Sequence, residues 1–424
     1  MKILGLIIEY NPFHNGHQYH LKQALNLINP DVTIGILSGN FVQRGEPSVF
    51  RKQAKVNFSL EAGLDLVLEL PLVFSIQDAG GFALGSVWTL DKLKASSLVF
   101  GSESNDLKAL KKIAFILNES SDKYTKLLKK FLKKGLSFPN SRKEALKVYF
   151  ESSGFDSEII NKISLSNDIL GLEYLKSIFH LKSSINAFSI KRIGKNYHDL
   201  NSNSSFSSAS AIRNLLKKGD LEKIKKLVPE FAYRIIIDEI NNNEGPIFLE
   251  NLEKTIISIF RMNNLSDFEN IYGINEGLDV RFKKIASVSK NLESFLMDVK
   301  TKRFTLTRIK RALLSTLIKL EKNSVKKSNI YGPQYIRVLG FNEKGRKYLS
   351  YLKKKIDIPV ITNLSDWPRI YKKVLNNKYK VNPELFKTQL FYDIKATELY
   401  TLFNKEKKLL VGNEYKYNVK YKKT

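Results

Sequence analysis

The chain contains no cysteine in 424 residues. That absence excludes disulfides, a thiolate nucleophile and any cysteine-ligated zinc site. No stretch reaches the roughly 18 consecutive apolar residues that a membrane helix needs. Nothing at the start reads as a signal peptide, since Lys2 precedes only a short apolar run and charge returns at Glu9. A cytoplasmic enzyme without a membrane partner is the expectation. Acidic residues are also short, 42 against 70 Lys and Arg, which leaves a net charge of +28. Part of that excess reflects a composition rich in Lys, Asn and Ile. The remainder favours a polyanionic partner such as nucleic acid, which releases counterions on binding. Hydrophobic residues at 43% and aromatics at 11% belong to a globular chain, long enough for two or three domains.

Histidine is scarce too, five in all, yet His14, His17 and His20 fall within seven residues. They lie in ILGLIIEYNPFHNGHQYH. Leu4 to Ile8 is an apolar run suited to a strand covered on both faces. Glu9-Tyr10-Asn11-Pro12-Phe13 breaks it, with Pro12 stopping further pairing. From Gly16 onward Tyr19, Leu21, Ala24, Leu25 and Ile28 share one helical face. His14-Asn15-Gly16-His17 therefore sits where a strand's carboxyl end turns into a helix. Free backbone N–H groups and the helix dipole make that turn a ready phosphate site. Gly16 is expected to let a phosphate approach the backbone, and His14 and His17 can face one ligand.

The His-x-Gly-His pattern resembles that of nucleotidyltransferases and class I aminoacyl-tRNA synthetases. The longer EYNPFHNGHQYH resembles the bacterial tRNA(Met) cytidine acetate ligase family. GNFVQRGEP at 39–47, RVLGFNEKG at 337–345 and DIKATELY at 393–400 extend the likeness across almost the whole chain.

Further strands are expected at Val32 to Ser38, Leu64 to Pro71 and Ser97 to Phe100, with a helix over Arg51 to Ala62. The alternation predicts a parallel, doubly wound α/β sheet. After the second strand, Asn40, Gln43 and Arg44 bring more polar groups than a plain connection needs and are read as pocket wall. Gly101, at the fourth strand's carboxyl end, offers bare backbone to a base or ribose. Residues 106–150 read as lysine-rich helices, either a solvated face or a polyanion surface. Ser166-Asn167-Asp168 starts a helix with good N-cap residues. Ala187 to Ile193 reads as a strand delivering Lys191 and Arg192, followed by Tyr197-His198-Asp199.

A serine-rich piece, Asn201 to Ser210, opens directly into the helix beginning SASAIR. Ser208, Ser210, free N–H groups and Arg213 make a second phosphate cradle. The run resembles the Ser-x-Thr/Ser-x-Ile-Arg signature that partners His-x-Gly-His in nucleotidyltransferases. From Glu222 to Lys327 the pattern is helical, and near Tyr331 it turns to short strand–helix–strand. Three parts are expected: a Rossmann-like ATP-binding domain at 1–220, a helical domain at 221–330, and a small α/β C-terminal domain with a basic tail at 331–424.

The residues alone propose adenylyl transfer. ATP would lie along the sheet's carboxyl edge, with His14 and His17 donating to the α-phosphate. Arg192, Arg213 and the serines would hold the departing pyrophosphate. Mg2+ is expected with the nucleotide, because it neutralises phosphates using few protein ligands. The nucleophile is not readable from these residues. Another adenylyltransferase of cofactor biosynthesis, or a non-catalytic RNA-binding protein on the same fold, remains open on this basis. The family resemblance implies more: acetate activated as acetyl-adenylate, then acetyl transfer to N4 of the wobble cytidine of elongator tRNA(Met). It also implies that ATP touches Ile7, Ile8, Glu9, Tyr10, Asn11, Pro12, Phe13, His14, Asn15, Gly16, His17, His20, Gly101, Asn167 and Arg192. The sequence departs from the family in Ser166-Asn167-Asp168, where Pro-Asn-Asn is expected, and in Ser210, where threonine is commoner. For tRNA, two basic surfaces stand out. One is Arg303, Arg308, Lys310 and Arg311 around Phe304. The other is the tail with Lys416, Lys420, Lys422, Lys423, Tyr415, Tyr417 and Tyr421.

Overall fold

The computed structural model describes residues 1–119, 122–136, 138–152, 166–193, 207–353, 355–404 and 414–423. Within the first 191 residues, apolar runs become β1 (Ile3–Ile8), β2 (Val32–Ser38), β5 (Leu66–Leu70), β6 (Ser97–Ser102) and β7 (Asn186–Lys191). A small antiparallel hairpin, β3 (Phe41–Val42) and β4 (Glu46–Pro47), interrupts them. The five long strands pair in parallel in the order β5-β2-β1-β6-β7.

Both sheet faces are covered, which is why the strands read as apolar runs rather than alternating ones. Leu4, Leu6 and Ile8 of β1 pack with Leu21, Ala24 and Ile28 of the helix Asn15–Ile28. Ile3 faces the other way, into a core with Ile34, Ile36, Leu68, Val87 and Leu90. The chain runs outward from β1 through β2 to β5, then returns to β6 on β1's other side. The crevice at the carboxyl ends of β1 and β6 is therefore the topological switch point, where open α/β sheets bind ligands.

Helices follow one another from Leu221 to Tyr331. Beyond them, β8 (Ile336–Asn342) and β9 (Val360–Ile361) flank the helix Glu343–Leu352, and β10 (Lys420–Lys422) follows. These strands do not make a sheet of their own. β8 lies antiparallel on β5, with β9 and β10 parallel to β8, so the C-terminal stretch extends the first sheet. It also covers the edge that β5 would otherwise leave open.

A buried ionic cluster secures that junction. Lys52 Nζ lies 2.9 Å from Glu69 and 2.6 Å from Glu414, and Arg337 reaches Glu414 at 3.4 Å. Thr397 donates to Glu414 at 2.7 Å, and Asn40 donates to Thr397 at 3.2 Å. Asp393 accepts the Leu72 N–H at 2.7 Å and the Tyr335 hydroxyl. The RVLGFNEKG and DIKATELY stretches thus meet here through Arg337, Asp393 and Thr397. Asn40, expected in a pocket wall, belongs to this interior instead, its Oδ1 accepting the Lys52 N–H at 3.0 Å. Among the described residues no helix is long and apolar enough to cross a membrane.

Candidate functional site

His14 caps the helix Asn15–Ile28, its Nδ1 accepting the Gly16 N–H at 3.0 Å. This bond sets the tautomer of the neutral ring, because an accepting Nδ1 leaves the proton on Nε2. The His17 ring stacks on His14 with centroids 3.7 Å apart, and it also meets Tyr10 and Phe13. Gly16 has a nearer duty than the one expected of it. A Cβ there would stand 2.9 Å from the His14 ring, so glycine is what lets His14 fold back as a cap. Tyr10 holds a left-handed φ of 44°, rare for a bulky residue, as the chain leaves β1. Ile8, Pro12 and Phe13 are buried. Asn15 turns its amide to the Lys226 carbonyl at 3.2 Å.

The three imidazoles resist protonation. Burial, then Arg192 and Arg213, pushes His14 down to about 3. His17 lies well below its usual value through burial and its histidine neighbours. His20 falls to about 4 through burial and Arg192, against a bond to the Phe100 backbone. His17 Nδ1, Gln18 Oε1 and His20 Nε2 are buried without a hydrogen-bond partner among the described residues. Neutral donors and two arginines thus surround unmatched polar atoms, a setting that an incoming polyanion would complete.

The second motif arrives from nearly 200 residues away. Ser208 caps the helix Ala209–Lys218, accepting the Ala211 N–H at 3.2 Å. Arg213 donates to the Asn11 carbonyl at 3.1 Å and to Ser210 Oγ at 3.0 Å. Asn11 in turn accepts from Val49 N–H at 2.8 Å and from Ser48 Oγ at 3.3 Å. The SASAIR helix start is thereby tied to the loop before HNGH. Arg192 follows β7, its N–H donating to the Ser102 carbonyl at 3.0 Å. Gly101 lies within β6 rather than after it, and a Cβ there would stand 3.3 Å from Arg192 and 3.9 Å from His20. Tyr197-His198-Asp199 and residues 201–206 lie outside the described residues.

Asn167 begins the helix Ser166–His180, but its amide and N–H are turned to Glu103. Glu103 also accepts the Asp168 N–H at 3.0 Å. Asp168 returns the favour, accepting from Ser102 Oγ and from the N–H groups of Glu103 and Ser104. Glu103 was invisible in the sequence as a partner, since its bonds span 64 residues. Glu9 accepts Ser38 Oγ at 3.1 Å and the Gln43 N–H at 2.7 Å. Lys55, fully buried and lowered to about 7 chiefly by that burial, donates to the Ser38 and Gly39 carbonyls at 2.7 and 2.9 Å.

The two basic surfaces look different in three dimensions. Lys310 pairs with Glu46, which also lies 3.6 Å from Arg213. Arg303 and Arg308 both meet Glu276, and Phe304 is buried. The cluster is thus partly internal wiring. In the tail, Tyr417 is 5% exposed and donates to the Leu339 carbonyl at 2.8 Å, so it is no platform for a base. Lys422 pairs with Glu61 at 3.1 Å.

Comparison with known proteins agrees with this geometry. The family model described as HIGH Nucleotidyl Transferase matches residues 1–414. The tRNA(Met) cytidine acetate ligase of Kosmotoga olearia is 47% identical, over 99% of each chain. That of Thermotoga maritima is 48% identical, over 93% of this chain and 94% of its own. The crystal structure of Thermotoga maritima TmcAL bound with alpha-thio ATP superposes with a TM-score of 0.95 and 44% identity, covering 100% of both chains. An apo form of the same protein gives 0.96. A switch-point crevice carrying HNGH and SASAIR, and likeness of this extent, make the chain a member of the tRNA(Met) cytidine acetate ligase family of HIGH nucleotidyltransferases.

Proposed function

We propose that this protein activates acetate with ATP and passes the acetyl group to N4 of the wobble cytidine of elongator tRNA(Met). An acetate oxygen attacks the α-phosphorus, the bond to the bridging oxygen breaks, and pyrophosphate leaves. The cytidine N4 then attacks the acetyl carbon, AMP departs, and the N4 proton is lost. His14 and His17 donate to the charge that builds on the α-phosphate. Fixed donors of this kind typically supply roughly 3–4 kcal/mol each. Arg213, Ser208, Ser210 and Arg192 hold the leaving pyrophosphate. Ile7 to Phe13, Asn15, Gly16, His20, Gly101 and Asn167 form the rest of the nucleotide site, with Asn167 exchanging Glu103 for the ligand. Triphosphate charge favours the imidazolium and so opposes the lowering of the histidine pKa values by burial.

Mg2+ enters as part of the nucleotide substrate. Among the described residues no cluster of three or more His, Asp or Glu could hold a metal, so phosphate oxygens and water supply most of its ligands.

The observation that carries this reading is the Arg213–Asn11 bond, which brings both helix starts to one crevice. Incubation with labelled ATP, acetate and bulk tRNA tests it. Acetate-dependent pyrophosphate release and N4-acetylcytidine in elongator tRNA(Met) are expected. Pyrophosphate release that needs no acetate, with unmodified tRNA, would point to a different adenylyltransferase.

A further inference from the structure

A concavity of about 1460 Å³ opens between the helices Phe138–Glu151, Ser166–His180, Leu306–Ile318 and Lys322–Tyr331. It exceeds the roughly 300–1,000 Å³ of ordinary small-molecule sites. Two of its walls begin at the nucleotide crevice. The helix Ser166–His180 carries Asn167 at its start, then Glu173 and Lys176 along the cleft. Gln43 lines the cleft while its N–H holds Glu9, and Arg311 reaches the Gln43 carbonyl at 3.5 Å.

Among the described residues the lining is cationic, with eight Lys or Arg against three Asp or Glu. Glu173 pairs with Arg142 and Lys176, and Glu276 with Arg303 and Arg308, which leaves Lys143, Arg311, Lys322 and Lys326 outside those pairs against Asp78. Between the charges lie Leu132, Ile169, Tyr272 and Ile330, which keep exposed or half-buried faces, an apolar and aromatic floor on which unpaired bases can rest. Resting on the acetate-ligase reading, we infer that this cleft receives the single-stranded anticodon loop. Its phosphates lie against the basic rim and its bases against the floor. A cytosine N4 cannot reach an adenylate while stacked and paired, so the target must arrive as an unstacked base. A basic cleft that shares Gln43 and one helix with the nucleotide crevice supplies that route.

The test uses the full chain and an in vitro transcript of elongator tRNA(Met). Lys143→Glu, Lys176→Glu and Lys326→Glu are combined, one from each of three walls. A control combines Lys344→Glu, Lys372→Glu and Lys373→Glu, which are exposed and outside the lining. The cleft variant should bind tRNA at least tenfold more weakly, with the salt slope reduced by roughly 2–3 for three lost phosphate contacts. Its tRNA-independent acetyl-adenylate formation should match wild type, which also reports an intact fold. Unchanged affinity in the cleft variant, or an equal loss in the control, overturns this inference alone. A wild type that neither activates acetate nor binds the transcript overturns the reading beneath it.

Discussion

Two buried polar clusters, one at the junction of β5 with the C-terminal stretch and one at the carboxyl end of β1, are built to opposite rules. Around Lys52, Glu69, Glu414 and Arg337 nearly every charge has a partner. Burial opposes the Lys52 charge, yet Glu414 and Glu69 outweigh it and raise its pKa. Lys52 and Arg337 likewise outweigh burial at Glu414 and lower it, while burial and Glu414 leave Glu69 raised. Arg337 Nε is the one orphan there. Around His14, His17 and His20 the balance reverses: imidazoles neutralised by burial, two arginines nearby, and three unpartnered atoms. A satisfied cluster fastens a structure, whereas an unsatisfied one keeps its free energy for a ligand.

The largest expected effect comes from breaking the satisfied cluster. Lys52→Met removes the cation from Glu69 and leaves Glu414 with Arg337 alone, and should cost about 3–5 kcal/mol in urea unfolding. Adenylate formation per folded molecule should stay at the wild-type level. A loss below about 1 kcal/mol would show the cluster is not what fastens the C-terminal strands.

Breaking the unsatisfied cluster should do the converse. His17→Ala or Arg213→Ala should lower acetate-dependent pyrophosphate release by roughly 10²–10³. His17→Ala should leave the unfolding midpoint unchanged or raised, because it removes a buried unpartnered nitrogen. An unchanged rate in a folded variant would refute the proposed role.

A pH series sharpens the contrast. His14 titrates near 6.5 unfolded but near 3 in the folded protein. The unfolded chain therefore takes up a proton first, and stability falls as pH drops from 6.5 toward 3. Each such imidazole contributes up to about 1.4 kcal/mol per pH unit. Saturating ATP should flatten the slope, since phosphate favours the imidazolium. Urea midpoints at pH 7, 6 and 5, with and without ATP, check this, and an equally steep slope with ATP would separate the histidines from the phosphates.

The smallest effect is local. Ser208→Ala removes one cap from the helix Ala209–Lys218 and should cost about 1 kcal/mol, read as a shift in unfolding midpoint. Its proposed contact with the pyrophosphate adds a fall in acetate-dependent pyrophosphate release beyond that shift, and a rate that follows the stability loss alone would remove Ser208 from the nucleotide site.

Much of this was legible in the sequence because it depends on near neighbours. Val32–Ser38 is a strand because seven apolar or small residues between turn signals suit a two-sided burial. His14 and Ser208 cap helices because their side chains reach N–H groups two or three residues on. The convergence of HNGH with SASAIR was legible too, through pairing of motifs rather than through geometry. What only the tertiary structure decided depends on partners far along the chain. Lys52 and Lys372 are alike in sequence, yet one is fully buried between two carboxylates and the other lies in water. Glu103 reaches Asn167 across 64 residues, Lys310 reaches Glu46 across 264, and β8 chooses the β5 edge. Periodicity reports which face of an element is apolar but not which surface it meets. That choice belongs to the packing of the whole chain.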